Sequence, residues 1–367
     1  MMKELINLNN NVYKDKSKAR LILGESFGIK DFINIYHPKL VKYYDDLKSQ
    51  DWKEDELSFT SDRLDLISAP QTVKDLFKFN VAYQIEIDSL LSETYATLLA
   101  PFITDSQYSD MLSLIQNNEC LHYKSYMFII RKVFSEPDEI FDLILKTKEV
   151  QKRSVNTFNT LAELKKAGAE YTLGLRENNQ ELFNLVFKGI FCFYILERMN
   201  FLSSFATTFI IPEAFNGLMM NSSKQIQKIA QDEIIHYKVG EYILKELINN
   251  DPRGKESFKQ AEEELKTILE EAYQSELVWS DFILSEGREV VGLNSNLLKD
   301  YVTWNYKSVK ATLGWIDQKE VGDIPLNYMK QWLNIDMVQH ANQESSNNNY
   351  LLNTVINDID DLDLSDF

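Results

Sequence analysis

Residues that break regular structure are scarce in this chain. Twelve glycines and seven prolines among 367 residues are too few for an all-β or loop-rich fold, and they favour long helices. Positive charge is short as well: 39 Lys and Arg stand against 56 Asp and Glu, a net charge of −17. So little basic surface argues against nucleic-acid binding. The two cysteines, Cys120 and Cys192, form no CxxC pair and read as buried free thiols of a reducing, cytoplasmic compartment. The opening "MMKELINLNNNVYKDK" lacks the apolar core of a signal peptide. The greasiest run, "IFCFYILERMNFLSSFATTFII" at 190–211, is long enough to span a bilayer. Glu197, Arg198 and Asn200 lie near its middle, where lipid makes charge costly, so it reads as a helix at the centre of a soluble bundle.

What is present is helical periodicity in a composition 44% hydrophobic and 12% aromatic, typical of a globular core. Residues 1–66 read as irregular with short helices. Helices are expected over 72–99, 110–134, 140–168 (one or two), 181–210 ending at Pro212, 222–250 and 255–284, with more helix to about 334. Ser222 and Ser223 are capping candidates, and "AEYTLGLR" at 169–176 suggests a short β-like interruption. The Asn- and Asp-rich stretch 342–367 reads as a flexible acidic tail. The expected division is therefore a bundle over 1–340 and a tail over 341–367.

The chemistry is concentrated in "NNECLHYKSY", 117–126. Steps of three and four residues put Glu119, His122 and Tyr126 on one side of a helix. The chain has four histidines, and two of them end a Glu-x-x-His: Glu119–His122 and Glu233–His236. Two further acids interrupt apolar stripes. Asp88 lies among Val81, Ile85, Leu91 and Tyr95, and Glu197 lies among Ile190, Phe193, Phe201 and Phe205. A buried carboxylate needs a partner. Taken singly, Asp88 or Glu197 fits a structural acid paired with Arg198 or Lys188, each Glu-x-x-His fits a surface ion pair, and Tyr126 fits an ordinary core tyrosine. Taken together, they resemble the set in ferritin-like di-iron and di-manganese carboxylate bundles, where two helices give one carboxylate each and two give a Glu-x-x-His. Four carboxylates balance two divalent ions, and oxygen with imidazole ligands suits iron or manganese.

The segments "YQIEIDSL", "NNECLHYKSYMFIIR", "LERMNFLSSFATTF", "IAQDEIIH" and "NYLLNTVINDIDDLDLSDF" resemble the small, radical-generating subunit of class I ribonucleotide reductase over nearly the full chain. The resemblance implies an all-α, ferritin-like homodimer with two buried iron ions. Asp88, Glu119 and His122 would bind one metal, Glu197, Glu233 and His236 the other, and Glu119 and Glu233 would bridge them. It makes Tyr126 the residue oxidised to a stable radical when the reduced metals meet oxygen, in an apolar pocket of Phe201, Phe205 and Ile229. It also implies radical transfer through Trp52 and Asp232, then Glu344 and Tyr350 of the tail, to a separate large subunit that reduces ribonucleotides.

Two positions depart from the family pattern. Ile115 stands where some relatives carry Trp, and Gln231 stands where Arg is often found; both bear on metal preference and radical stability. Manganese or a mixed pair remains open. So do an oxidase, oxygenase or iron-handling protein of the same fold and, from another class, a metal-free helical interaction protein.

Overall fold

The computed structural model describes residues 7, 19–25, 28–153 and 155–334. Two short helices, α1 (Pro38–Ser49) and α2 (Thr60–Ser68), precede the bundle. Long helices α3 (Gln71–Leu99) and α4 (Ser106–Val133) follow, then α5 (Asp138–Lys146), α6 (Lys148–Lys152) and α7 (Val155–Thr172). Next come α8 (Gln180–Ile195), a wide π-type turn (Leu196–Phe201) and α9 (Leu202–Ala214). α10 (Met220–Asn250), α11 (Pro252–Ile283), α12 (Ser295–Thr312) and α13 (Asn327–Trp332) complete the described body.

Local chemistry sets four of the helix starts. Asp105, Asn179, Asp251 and Asn294 each accept an amide hydrogen from the first turn of the helix that follows. Pro252 stands at the first position of α11, where its missing N–H costs nothing. Gly254 allows that turn to approach α10: a Cβ there would lie 2.1 Å from the Leu247 carbonyl oxygen.

Packing then aligns the polar residues. The 100–105 connection sends α4 back along α3, and α10 packs on α4, α8, the wide turn and α9. The apolar faces of these helices are fully buried, from Val81 and Leu91 through Ile115 and Ile129 to Phe187 and Phe205. Burying such faces supplies most of the stability of helices this long.

Several expectations are corrected. α7 continues through Thr172 and turns at 173–174, so the stretch 169–176 forms no strand; among the described residues the β-type pairings are isolated bridges. The stretch 140–168 divides into three helices. The apolar helix runs past Pro212 to Ala214, and its main irregularity lies earlier, at 196–201. Ser222 and Ser223 lie inside α10. The first amides of that helix are held instead by acids of α2, with Asp62 accepting from Asn221 and Ser222, and Asp65 from Met219. No helix among the described residues is long and apolar enough to cross a membrane.

Candidate metal centre

Asp88 on α3, Glu119 and His122 on α4, Glu197 on the wide turn, and Glu233 and His236 on α10 are all completely buried. Their donor atoms form two overlapping groups, each within 4.8 Å: Asp88, Glu119, His122 and Glu233, and Glu119, Glu197, Glu233 and His236. Glu119 and Glu233 belong to both. His122 Nδ1 lies 2.9 Å from Glu233 Oε1 and 3.9 Å from Glu119 Oε2. His236 Nδ1 lies 2.8 Å from Glu233, 3.1 Å from Glu119 and 3.9 Å from Glu197.

Hydrogen bonding leaves this cluster unsatisfied. Both oxygens of Asp88, Glu119 and Glu197, Glu233 Oε1 and His122 Nδ1 have no hydrogen-bond partner among the described residues. Where His122 Nδ1 and Glu233 Oε1 come close, they are misaligned for an N–H to point at the oxygen. Buried acceptors that converge without donors are costly, and cations shared between them remove the cost. Neither Arg198 nor Lys188 neutralises an acid here: Arg198 bonds Asn305, and Lys188 pairs with Glu264. Four carboxylates and two imidazoles fit two divalent ions in charge and donor type.

The electrostatics carry the same strain. Burial, reinforced by Glu119 and Glu233, raises the Asp88 carboxyl well above its ordinary range; burial and Glu233 do the same to Glu197. Burial also raises Glu119. Glu233 is held low because His236 and His122 outweigh its burial. Burial opposes charge on both imidazoles, but Glu233 and its neighbours prevail, raising His122 and bringing His236 to about 9.

Of the other predicted residues, Trp52 and Asp232 connect to this cluster through His122. Trp52 Nε1 donates to Asp232 Oδ2 at 2.8 Å, and the same oxygen lies 3.1 Å from His122 Nε2. The Trp52 and His122 rings stack with centres 6.1 Å apart. Tyr126 is completely buried, and its hydroxyl has no partner among the described residues. Burial, followed by the Asp88 charge, raises its phenol well above the ordinary value. Phe201, Phe205 and Ile229 are completely buried, and the two phenylalanines stack at 5.8 Å. Ile115 is buried, and Gln231 donates to the Asn334 carbonyl at 3.3 Å. Cys192 is buried and its thiol is pushed up to about 12 by that burial, while Cys120 is partly exposed. Glu344 and Tyr350 lie outside the described residues.

The sequence reading missed what grips the wide turn. Arg153 makes a two-pronged pair with Glu276, both contacts 2.6 Å, and its guanidinium also donates to the Asn200 carbonyl at 3.1 Å. The Asn200 amide returns a hydrogen bond to Glu276 at 2.7 Å. A usable signal existed: Glu276 stands on the buried stripe of Leu265, Leu269, Ala272, Trp279 and Ile283, as Asp88 does on its own helix.

Long helices crossing a buried carboxylate–imidazole cluster define a ferritin-like protein with a dinuclear metal centre. Comparison with known proteins narrows the class. Residues 30–316 match the family described as "Ribonucleotide reductase, small chain". Subunit beta of ribonucleoside-diphosphate reductase 1 from Escherichia coli O157:H7 is 26% identical over 370 residues, covering 96% of each chain. Among solved structures, the ribonucleotide reductase R2 subunit from Clostridium botulinum superposes with a TM-score of 0.77 at 20% identity, over 91% of this chain and 98% of that one. The dimanganese(II)-NrdF of Streptococcus sanguinis gives 0.61 at 19% identity, over 83% and 99%. This chain belongs to the ribonucleotide reductase small-chain family.

Proposed function

We propose that this chain is the radical-generating small subunit of a class I ribonucleoside-diphosphate reductase, working in the cytoplasm as a homodimer with a separate large subunit. The observation that carries the reading is one continuous hydrogen-bonded line from the buried cluster outward, His122–Asp232–Trp52.

Asp88, Glu119 and His122 would hold one ion, and Glu197, Glu233 and His236 the other, with Glu119 and Glu233 shared. When bound, two iron ions supply electrons to dioxygen and an oxidant strong enough to take an electron from a phenol. Tyr126 is the phenol so used. Burial keeps it protonated before it is oxidised. Its complete burial keeps out water and reductants, which lengthens the life of a radical. Asp232 orients His122 through Nε2 and, with the same oxygen, fixes the Trp52 indole.

The exit is close at hand. Gln231, next to Asp232, donates to Asn334, and Gln227 donates to the Trp332 carbonyl at 2.9 Å. The chain therefore leaves the described body beside the Trp52–Asp232 pair. The acidic tail beyond it supplies Glu344 and Tyr350 for onward transfer and docks on the large subunit. An oxidase or iron store has no use for such an exit. A metal-free interaction protein has no use for four buried carboxylates without cations.

The test is anaerobic loading with ferrous iron, exposure to air, and low-temperature EPR on wild type and Tyr126→Phe. A tyrosyl signal in wild type that is lost in the variant is the expected result. Iron uptake without that signal points to the oxidase reading or to another metal. Manganese, the metal named for the Streptococcus sanguinis neighbour, is the second loading to try.

A further inference from the structure

Of the three carboxylates near His236, Glu197 lies farthest from Nδ1, at 3.9 Å against 2.8 and 3.1 Å for Glu233 and Glu119. Its position therefore depends on what holds the wide turn Leu196–Phe201. The next residue, Arg198, is 7% exposed and has no ion-pair partner among the described residues, although burying an unpaired guanidinium is unfavourable. It donates instead to the fully buried Asn305, and it lies over two rings, 5.0 Å from the centre of Tyr237 and 4.9 Å from that of Trp304. Tyr237 follows His236 directly.

We propose that Arg198 is a positioning residue that fixes the spacing of Glu197 and His236, and so sets the second metal pocket. The cation–ring contact ties residue 198 to residue 237, and each is the immediate chain neighbour of a donor in that pocket. On α12, Asn305 and Trp304 hold the guanidinium from the far side. The opposite flank of the turn is held independently, through Asn200, by Glu276 and Arg153. A cation packed only for stability would gain more from a carboxylate partner. Arg198 is placed to brace two donors without adding a negative charge that would compete for metal. This inference rests on the proposed metal ligands.

The experiment is calorimetric titration of the metal-free full chain with manganese(II), together with its melting temperature. Wild type should take up two ions. Arg198→Met should keep one and bind the second at least tenfold more weakly. Tyr237→Leu should act in the same way, while Tyr237→Phe, which keeps the ring, should retain both ions. Asp88→Ala isolates the Glu197–His236 pocket, and adding Arg198→Met to it should weaken the remaining binding at least tenfold. Two wild-type affinities in Arg198→Met, with only a lower melting temperature, would overturn the proposal. Equal weakening of both sites would also overturn it. If wild type fails to take up two ions, the ligand assignment fails first, and this inference with it.

Discussion

Trp52 and His122 meet on a single oxygen: Asp232 Oδ2 accepts the indole N–H at 2.8 Å and lies 3.1 Å from the imidazole Nε2. One atom therefore sets both the ring orientation of a proposed metal ligand and the docking of the Trp52 indole. Asp232→Asn offers an amide where His122 needs an anion. Metal affinity at the His122 site should fall ~10–100-fold, as expected when the carboxylate behind a ligand imidazole is lost. Trp52→Phe keeps that carboxylate, so it should leave metal uptake intact and slow only reduction supported by the large subunit. Titration of each variant, alongside turnover with the large subunit, separates the two roles.

The Tyr126 hydroxyl is buried with no hydrogen-bond partner among the described residues, so it should contribute nothing to holding the fold. Removing an unsatisfied buried hydroxyl is neutral or mildly favourable. The metal-free Tyr126→Phe protein should therefore melt at or slightly above the wild-type temperature in a calorimetric scan. A clear loss of stability would mean that the phenol makes a structural bond and would weaken its assignment as the radical site.

The metal-free protein should become less stable as pH rises from about 6.5 to 9. His236 is raised to about 9 in the folded state, against about 6.5 unfolded. Between those values the folded chain binds more protons than the unfolded one, so the stability from this group is present below 6.5 and lost through 9. Asp88 and Glu197, also raised, lose stability in the same sense from the ordinary carboxylate range upward. Glu233 is lowered and acts oppositely, costing stability only as the pH falls below about 4.5. Because binding needs these groups deprotonated, manganese affinity should rise over the same interval and flatten the melting profile. Denaturant melts at several pH values, with and without metal, test both signs.

Arg153 and Glu276 form a buried pair in which losing one half should cost more than losing both. Arg153→Met should destabilise by ~3–5 kcal/mol, because it strands the Glu276 charge. Arg153→Met with Glu276→Leu should recover most of that loss, since an apolar pair can replace a buried ion pair. Urea unfolding of the two variants decides it.

Local sequence rules reached the core of the site but not its supports. Glu119–His122 and Glu233–His236 were legible because one helical turn forces such pairs together, and Asp88 and Glu197 because an acid on an apolar stripe has to find company. The helices at 72–99, 222–250 and 255–284 were legible from the same periodicity. The strand suggested at 169–176 failed because Tyr171 lies on the buried face of α7, and helix packing overrode local β preference. The capping of α10 was hidden because Asp62 lies 159 residues before the amide of Asn221. Glu276 stands out locally as an acid on an apolar stripe, but its pairing with Arg153, 123 residues away, was beyond any local pattern for the same reason.

The wide turn also has a meaning for chain register. A π-type turn holds one residue more than an α-helical turn, which shifts everything after it by about 100° around the axis. Glu197, at the start of the wide turn, faces the carboxylate cluster, while Ser204 and Thr208 after it face Asn80, bonding its side chain at 2.8 and 2.7 Å. A one-residue deletion within 196–201 would give a more regular helix and a worse protein, unable to satisfy both faces at once. Insertions and deletions, usually tolerated in loops, should therefore be as harmful in this helix as the loss of a ligand.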